Sequence, residues 1–180
     1  LIDEHTPRID ADSGSLSLFH LMKSLKHLGQ DVCFLAADIN FDQAHTLRLQ
    51  QQGIACVYRP WAKNILAWLK ENAAHFDNII VCRVGLMSSL YPNLRACAPN
   101  ARVIFDTVDL HHIRESQEAE LANSDTLRKH AQNTKAKEYA FIQDCDETWV
   151  VSESERNQLQ TDFPNKTIRL ISNIHPVRKN

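Results

Sequence analysis

The chain has 180 residues and a formal net charge of -2, with 43% hydrophobic and 23% charged residues. This composition is ordinary for a globular protein, and the length suits one domain with a sizeable core. A general nucleic-acid binder would be strongly basic, and a membrane-spanning helix needs an apolar run of about 20 residues, which the sequence lacks. We therefore expect neither a nucleic-acid partner nor a membrane-spanning segment.

Two features bear on where the protein resides and where its chain begins. The five cysteines are an odd number without a CxxC pair, which favours buried free thiols in a reducing cytoplasm over disulfides or metal ligands. The first residues, Leu1 to Asp3, are typical of the end of a strand and lack an initiating Met. We therefore expect a cytoplasmic protein whose native chain starts earlier.

The first half of the sequence alternates helices and strands. The Ser-Gly-Ser at 13–15 opens a helical pattern whose apolar residues recur every third position from 16 to 28, and Gly29 ends it. A third helix is expected to start at Pro60, and within it Trp61 and Trp68 are seven positions apart, a spacing typical of core packing. The other elements predicted here are strands at 32–36 and 54–58 and a helix at 41–52.

The second half continues the alternation and ends on a seventh strand. Its strands are short apolar runs, typical of parallel strands covered on both faces. The polar stretch 113–145 lacks Gly and Pro and is predicted to be helical, with a break near 123–125. Ser152 and Glu155 have the spacing of a capping box that starts a helix. The other elements predicted here are strands at 79–82, 102–105, 148–151 and 168–171 and a helix at about 87–97.

This order of elements predicts the class of fold. Strict alternation of strands and helices gives right-handed crossovers and a parallel sheet with helices on both faces. We therefore predict an α/β protein with a doubly wound, Rossmann-like parallel sheet of about seven strands.

Polar residues stand where the predicted strands end, and open parallel sheets bind ligands at that edge. After the first strand, Asp12, Ser13 and Gly14 lead into a helix N-terminus whose backbone N–H groups could hold a phosphate. Neither a GxGxxG fingerprint nor a P-loop is present, so an ordinary N-cap with a packing glycine remains an open alternative. Arg83 follows the fourth strand.

The segment after the fifth strand is the most polar of these strand ends. It contains Asp109, His111, His112 and Arg114, which are either ligand-binding residues or a solvated loop. Asp109, His111 and His112 could supply some metal ligands, with His5 from a neighbouring strand end. A metal needs three or four converging ligands, however, and we expect no metal site. No GxSxG motif is present, so a Ser-His-Asp hydrolase is not expected either.

Several segments, taken in order, resemble one family of enzymes. The opening IDEHTPRIDADSGS, before a helix and LGQDVCFLA, has a strand ending in Asp, a proline and Asp-x-Gly-Ser. The segments VCRVGLM, VIFDTVDLHHIRE, ETWVVSESERNQL and IRLISNI follow. Together they resemble the N-terminal domain of family-4-type (group 1) glycosyltransferases over nearly the whole chain. FDTVDLHHIRE with VSESER is the most specific pair.

The resemblance implies a GT-B architecture, in which two Rossmann-like domains face each other across a cleft. Residues 1–174 would form the N-terminal, acceptor-side domain, and residues 175–180 would start the interdomain hinge. The C-terminal domain, which mainly binds the nucleotide-sugar donor, would lie outside this chain, so the chain alone would be inactive. Such enzymes transfer a sugar to a glycan or lipid-linked acceptor, typically with retention and without a catalytic metal or cofactor.

The resemblance also implies roles for the polar residues at the strand ends. His111 and Asp109 would be catalytic residues, with His111 bonding a sugar hydroxyl in the cleft. The residues expected to contact the acceptor or the donor diphosphate are Asp12, Ser13, Gly14, Arg83 and Arg114.

Two other functions fit the same sequence: a GT-B sugar-nucleotide epimerase and a non-catalytic Rossmann-like binding module. The position of the protein relative to membranes is also open. Lys23, Lys26 and His27 give the first helix a mildly basic face, which is either solvated or a peripheral contact with the inner face of the cell membrane.

Overall fold

The computed structural model describes residues 1–174, which contain seven strands and seven α-helices. The strands are β1 (Ile2–Asp3), β2 (Cys33–Ala36), β3 (Ala55–Val57), β4 (Asn78–Cys82), β5 (Arg102–Asp106), β6 (Glu147–Val150) and β7 (Ile168–Leu170). The helices are α1 (Ser13–His27), α2 (Gln43–Gln51), α3 (Ile65–Asn72), α4 (Val84–Cys97), α5 (His111–Leu121), α6 (Asp125–Asp144) and α7 (Glu153–Asp162).

All seven strands belong to one parallel sheet with the order β3-β2-β1-β4-β5-β6-β7. The chain first builds outward from β1 to β3, then returns to the other side of β1 and builds outward from β4 to β7. The neighbours β1 and β4 therefore flank the reversal point of the sheet, which is the topological switch point where the strand order changes direction. Open α/β sheets form a ligand crevice there. The predicted doubly wound, Rossmann-like fold is confirmed.

Helices cover both faces of the sheet. On one face, Met22 of α1 and Leu49 of α2 pack in a cluster with Phe34 of β2. On the other face, helices that include α4 and α7 pack in a larger cluster around strand residues such as Phe105, which is fully buried. Ile80, Ile104 and Trp149 form a third cluster with Leu21 and Leu25 of α1. Successive apolar residues of the central strands therefore alternate between the two faces of the sheet, which is why those strands are mostly apolar.

The start of α3 differs from the prediction. The helix begins at Ile65, because the side chain of Asn64 accepts a hydrogen bond from the Ala67 N–H at 2.8 Å and caps the first turn. Pro60 lies in a turn before it, and Trp61 is 78% exposed instead of packing in the core beside Trp68.

Two other boundaries test the sequence analysis. The helix α4 begins at Val84, three residues before the predicted start. The predicted break in the long polar stretch is confirmed: α5 ends at Leu121, Asn123 has a φ of 44°, and Ser124 caps α6. Residues 175–180, for which the hinge is predicted, lie outside the described residues. Within 1–174, no helix is long and apolar enough to cross a bilayer.

Replacement of Asn64 by Ala tests the start of α3. The variant loses the oxygen that caps the first turn, so its free energy of unfolding should fall by about 0.5–2 kcal/mol. Chemical denaturation measures the change, and Lys63→Ala, at the exposed neighbouring position, is the matched control. Equal stability of the two variants would mean that Asn64 does not cap this helix.

Candidate functional site

Backbone strain marks the carboxyl edge of the sheet. Three non-glycine residues with positive φ lie within three residues of a strand end at this edge: Ile39 (48°) after β2, Arg83 (70°) after β4 and Val108 (62°) after β5. Side-chain-bearing residues rarely adopt this conformation, and β-branched residues such as Ile39 and Val108 least of all. Strain of this kind collects at functional sites, so this edge is a candidate site on backbone evidence alone.

Arg83 bridges the reversal point of the sheet. Its Nε donates a hydrogen bond to Asp3 Oδ1 at 2.9 Å and lies 4.0 Å from Glu4 Oε2. Its backbone N–H donates to the carbonyl of Asp106 at 2.9 Å. Burial works against the charged guanidinium, but Asp3 and Glu4 outweigh it and raise the pKa of Arg83. One residue thus connects the carboxyl ends of β1, β4 and β5.

A cleft of about 660 Å³ opens beside Arg83, between the ends of β1, β2 and β4. Inside it, His5 Nδ1 lies 2.7 Å from Asp38 Oδ2, and Arg8 Nε donates to Asp42 Oδ2 at 3.3 Å. Its lining residues are Asp3, Glu4, His5, Thr6, Arg8, Asp12, Ser15, Asp38, Asn40, Phe41, Asp42 and Arg83.

The N-terminus of α1 is already occupied by a carboxylate. Asp12 accepts hydrogen bonds from the Ser15 N–H at 2.7 Å and the Ser15 hydroxyl at 2.8 Å. The Ser15 N–H is the main cause of the lowered pKa of Asp12, and the Gly14 N–H contributes as well. A phosphate could reach these N–H groups only by displacing the Asp12 side chain. Ser13, the first residue of the helix, is exposed.

Gly14 lies against the loop that follows β5. A Cβ added at Gly14 would stand 3.2 Å from Asp12 Oδ1 and 4.0 Å from Val108 Cγ1. Because consecutive Cα atoms are about 3.8 Å apart, His111 must lie within roughly 20 Å of Gly14. Gly14 and Arg83 also line a small groove of about 30 Å³. The predicted residues on β1, β4 and β5 therefore share one edge of the sheet.

Asp109 is the centre of a small charged group at the start of α5. Its Oδ1 lies 3.1 Å from His111 Nε2, and its Oδ2 lies 3.4 Å from Arg114 NH1. No acceptor within residues 1–174 is aligned with His111 Nε2 for a hydrogen bond, and the contact becomes an ion pair when the imidazole is protonated. The Asp109 carboxylate raises the pKa of His111. Burial works against ionisation of Asp109, but His111, Arg114 and Arg83 outweigh it and lower its pKa.

His112 is held by a contact with α6. It is buried, and its Nδ1 lies 2.5 Å from Oε2 of the buried Glu138 on α6. Glu138 also accepts the backbone N–H of His111 at 2.8 Å, and Glu155 of α7 accepts that of Leu110 at 3.1 Å. These two carboxylates fix the start of α5. In residues 1–174, no group of three or more His, Cys, Asp or Glu side chains is placed to hold a metal ion.

Asp106 is a buried carboxyl beneath the site that the sequence analysis does not single out. Its Oδ1 accepts the Val108 N–H at 3.0 Å, and the Cys82 thiol lies 3.8 Å from Oδ2. Burial raises the pKa of Asp106 to about 6, and the negative charge of Asp3 adds to the effect. Its position as the last residue of a buried strand is the only sequence signal for it.

The fold and this edge define a Rossmann-like α/β protein with a polar, carboxylate-rich cleft at the reversal point of its sheet. Comparisons of the chain with protein-family models, curated proteins and solved structures found no match.

The raised pKa of Asp106 predicts a pH dependence of stability. An unfolded Asp titrates near 3.8 and the native Asp106 near 6, so the unfolded chain ionises first as the pH rises between these values. Native stability therefore falls over this window, by up to about 3 kcal/mol from this group. Asp106→Asn stays neutral, so its stability relative to the wild type should rise between about pH 4 and pH 7.

Urea denaturation across this pH range measures the difference, with Asp144→Asn, at an exposed position, as the control. A difference between Asp106→Asn and the wild type that does not change with pH would contradict the assignment.

Proposed function

We propose that this domain is the acceptor-binding half of a GT-B glycosyltransferase. The enzyme would transfer a sugar from a nucleotide-sugar donor to a glycan or lipid-linked acceptor, with the retention of configuration that the sequence resemblance implies. The observation that carries the proposal is the polar cleft at the reversal point of the sheet, bridged by Arg83. Its volume of about 660 Å³ is within the range of small-molecule sites.

The charges of the cleft favour a sugar over a phosphate. Five carboxylates line it, against two guanidinium groups and one imidazole: Asp3, Glu4, Asp12, Asp38 and Asp42 against Arg8, Arg83 and His5. Carboxylates accept hydrogen bonds from hydroxyl groups, and Arg and His donate to them. An excess of negative charge repels a diphosphate. The cleft therefore suits a neutral acceptor sugar, and the donor diphosphate would be bound mainly by another domain.

Asp109, His111 and Arg114 lie outside the lining of the cleft. In this proposal the acceptor would extend from the cleft past Arg83 to the start of α5. The ion pair with Asp109 favours the protonated form of His111, which then has N–H groups to donate. A hydrogen-bond donor that is held in place before the reaction stabilises the charge that develops on a sugar oxygen. In this proposal His111 bonds the sugar, Asp109 and Arg114 hold His111 in position, and no metal is needed.

Replacement of His111 by Ala in an enzyme that joins this domain to a donor domain tests the proposal. The variant loses a hydrogen bond worth about 1.5–3 kcal/mol if the bonded group is charged in the transition state. We expect kcat/KM for sugar transfer to fall roughly ten- to a hundredfold, with little change in melting temperature. Transfer from a panel of nucleotide-sugars measures the effect.

The matched control is His75→Ala, an exposed histidine near the amino end of β4, whose transfer activity should equal that of the wild type. Full activity of the His111 variant would remove His111 from the site. Absence of transfer by the wild type over the panel, with sugars still bound in the cleft, would favour a non-catalytic binding module.

A further inference from the structure

Aromatic side chains are exposed where two neighbouring loops follow β2 and β3. Phe41, after β2, is 45% exposed, and Trp61, after β3, is 78% exposed. The rings of Phe41 and Tyr58 have centroids 4.7 Å apart. The Ala62 N–H donates to the carbonyl of Tyr58 at 3.2 Å and closes the turn that carries Trp61. We name Phe41, Tyr58 and Trp61 the aromatic rim.

The aromatic rim continues the cleft outward and is held in place beside it. Phe41 lines the cleft directly. The Arg59 N–H donates to the carbonyl of Ile39 at 3.0 Å, which joins the loop after β3 to the loop after β2. The Asn40 N–H donates to Asp38 Oδ1 at 3.0 Å, which fixes the backbone just before Phe41. A surface that is ordered before binding loses little conformational entropy when a ligand binds.

The charges between the cleft and the aromatic rim have both signs. Arg8 Nε donates to Asp42 Oδ2 at 3.3 Å, and His5 Nδ1 lies 2.7 Å from Asp38 Oδ2. Arg59 is exposed on the loop that carries Trp61. Opposite charges at such short distances give neither an anion nor a cation a strong preference. They do offer acceptors and donors to a ligand that is rich in hydroxyl groups.

The size and the flatness of the aromatic rim favour a sugar over a protein as its occupant. A stable protein interface uses about 20–30 residues on each side, whereas the rim consists of three rings among charged groups. Small-molecule sites combine aromatic surface with a few placed polar groups. A pyranose ring has the matching chemistry, because its C–H groups form an apolar face that stacks on the negative face of an aromatic ring, and its hydroxyl groups lie at the edge.

The width of the sheet edge indicates a ligand of several linked sugars. The rim follows β2 and β3, and the charged group around Asp109 follows β5. In the strand order β3-β2-β1-β4-β5, four strand spacings separate β3 from β5. At about 4.8 Å for each spacing this is roughly 19 Å. A single sugar ring covers only a fraction of that distance, so one ligand reaches both ends only as an oligosaccharide.

We propose that the aromatic rim is an outer binding site for a neutral oligosaccharide, whose rings stack on Phe41, Tyr58 and Trp61. The unit that receives the new sugar lies beside His111, and the units behind it run past Arg83 and through the cleft to the rim. The role of this oligosaccharide as acceptor rests on the proposed function, whereas its binding to the rim does not. A binding measurement on this chain is therefore separate from a transfer measurement on the joined enzyme.

An NMR titration of the isotope-labelled chain with neutral pentasaccharides tests the outer site. The probes are cellopentaose, maltopentaose, mannopentaose and chitopentaose. The three tryptophans of the chain each give one indole N–H signal. We expect at least one probe to shift the signal of Trp61 with a Kd of about 1 mM, and the matching monosaccharide to bind at least about tenfold more weakly. The signal of Trp149 should not move, because this indole is buried and donates to Glu147 at 2.6 Å.

Paired variants separate ring stacking from general apolar contact. Trp61→Leu keeps an apolar side chain without a flat ring and should bind the pentasaccharide about fivefold more weakly, whereas Trp61→Phe keeps a ring and should stay within about twofold of the wild type. Tyr58→Leu and Tyr58→Phe form a second pair with the same expectation. Shifts of the backbone N–H signals of Asn40 and Phe41 report binding in all of these variants.

A control variant lies elsewhere on the surface. Leu28→Ala replaces an apolar residue that is 75% exposed after α1, and it should bind the pentasaccharide like the wild type. Thermal melts should show that every variant is folded.

The absence of a shift at Trp61 with all four probes at about 10 mM would overturn the proposal. So would wild-type affinity of both leucine variants, or a self-association of the chain that Trp61→Leu abolishes in sedimentation while no probe binds, since the rim would then be a protein interface. These outcomes leave sugar transfer by the joined enzyme untouched. Conversely, probes that bind at Trp61 while the joined enzyme transfers no sugar would uphold the outer site and contradict the proposed function.

Discussion

The ion pair between Arg83 and Asp3 joins β1 and β4, the two strands that flank the reversal point of the sheet. Asp3 ends β1 and Arg83 follows β4, and a hydrogen bond of 2.9 Å connects their side chains across the crevice. Arg83 has a φ of 70°, a strained conformation that needs support from its surroundings. Its side-chain bond to Asp3 and its backbone bond to Asp106 supply that support.

The electrostatics of the site follow from this arrangement. Asp106 and Asp109 are three residues apart, yet burial raises the pKa of Asp106 to about 6, while His111 and the two arginines near Asp109 lower the pKa of Asp109. The same sheet edge therefore holds one carboxyl that gains a proton readily and one that stays ionised, a separation that is common in functional sites. A cleft with more carboxylates than cations suits a neutral, hydroxyl-rich ligand.

The sequence predicts the fold better than the site. Alternating apolar runs and helical patterns predict all seven strands, because the central strands are buried on both faces, the edge strands β3 and β7 are partly buried, and the helices are buried on one face. The exposure of Trp61 is not predicted, since seven-residue spacing also fits a helix that here starts only after Asn64. The partners of the strand-end residues are not predicted either. Arg83 binds a residue 80 positions away, and Glu138 reaches His111 across 27 positions, so neither contact leaves a local pattern.

A double-mutant cycle on Arg83→Gln and Asp3→Asn, measured by chemical denaturation, tests most directly whether this ion pair organises the site. Both side chains are largely buried and bonded to each other, so the two substitutions should be coupled by about 1–3 kcal/mol. Each substitution should lower the free energy of unfolding more in the wild type than in the variant that already lacks the other partner. Additivity of the two effects to within about 0.5 kcal/mol would contradict the account, because the pair would then contribute nothing to the junction of β1 and β4.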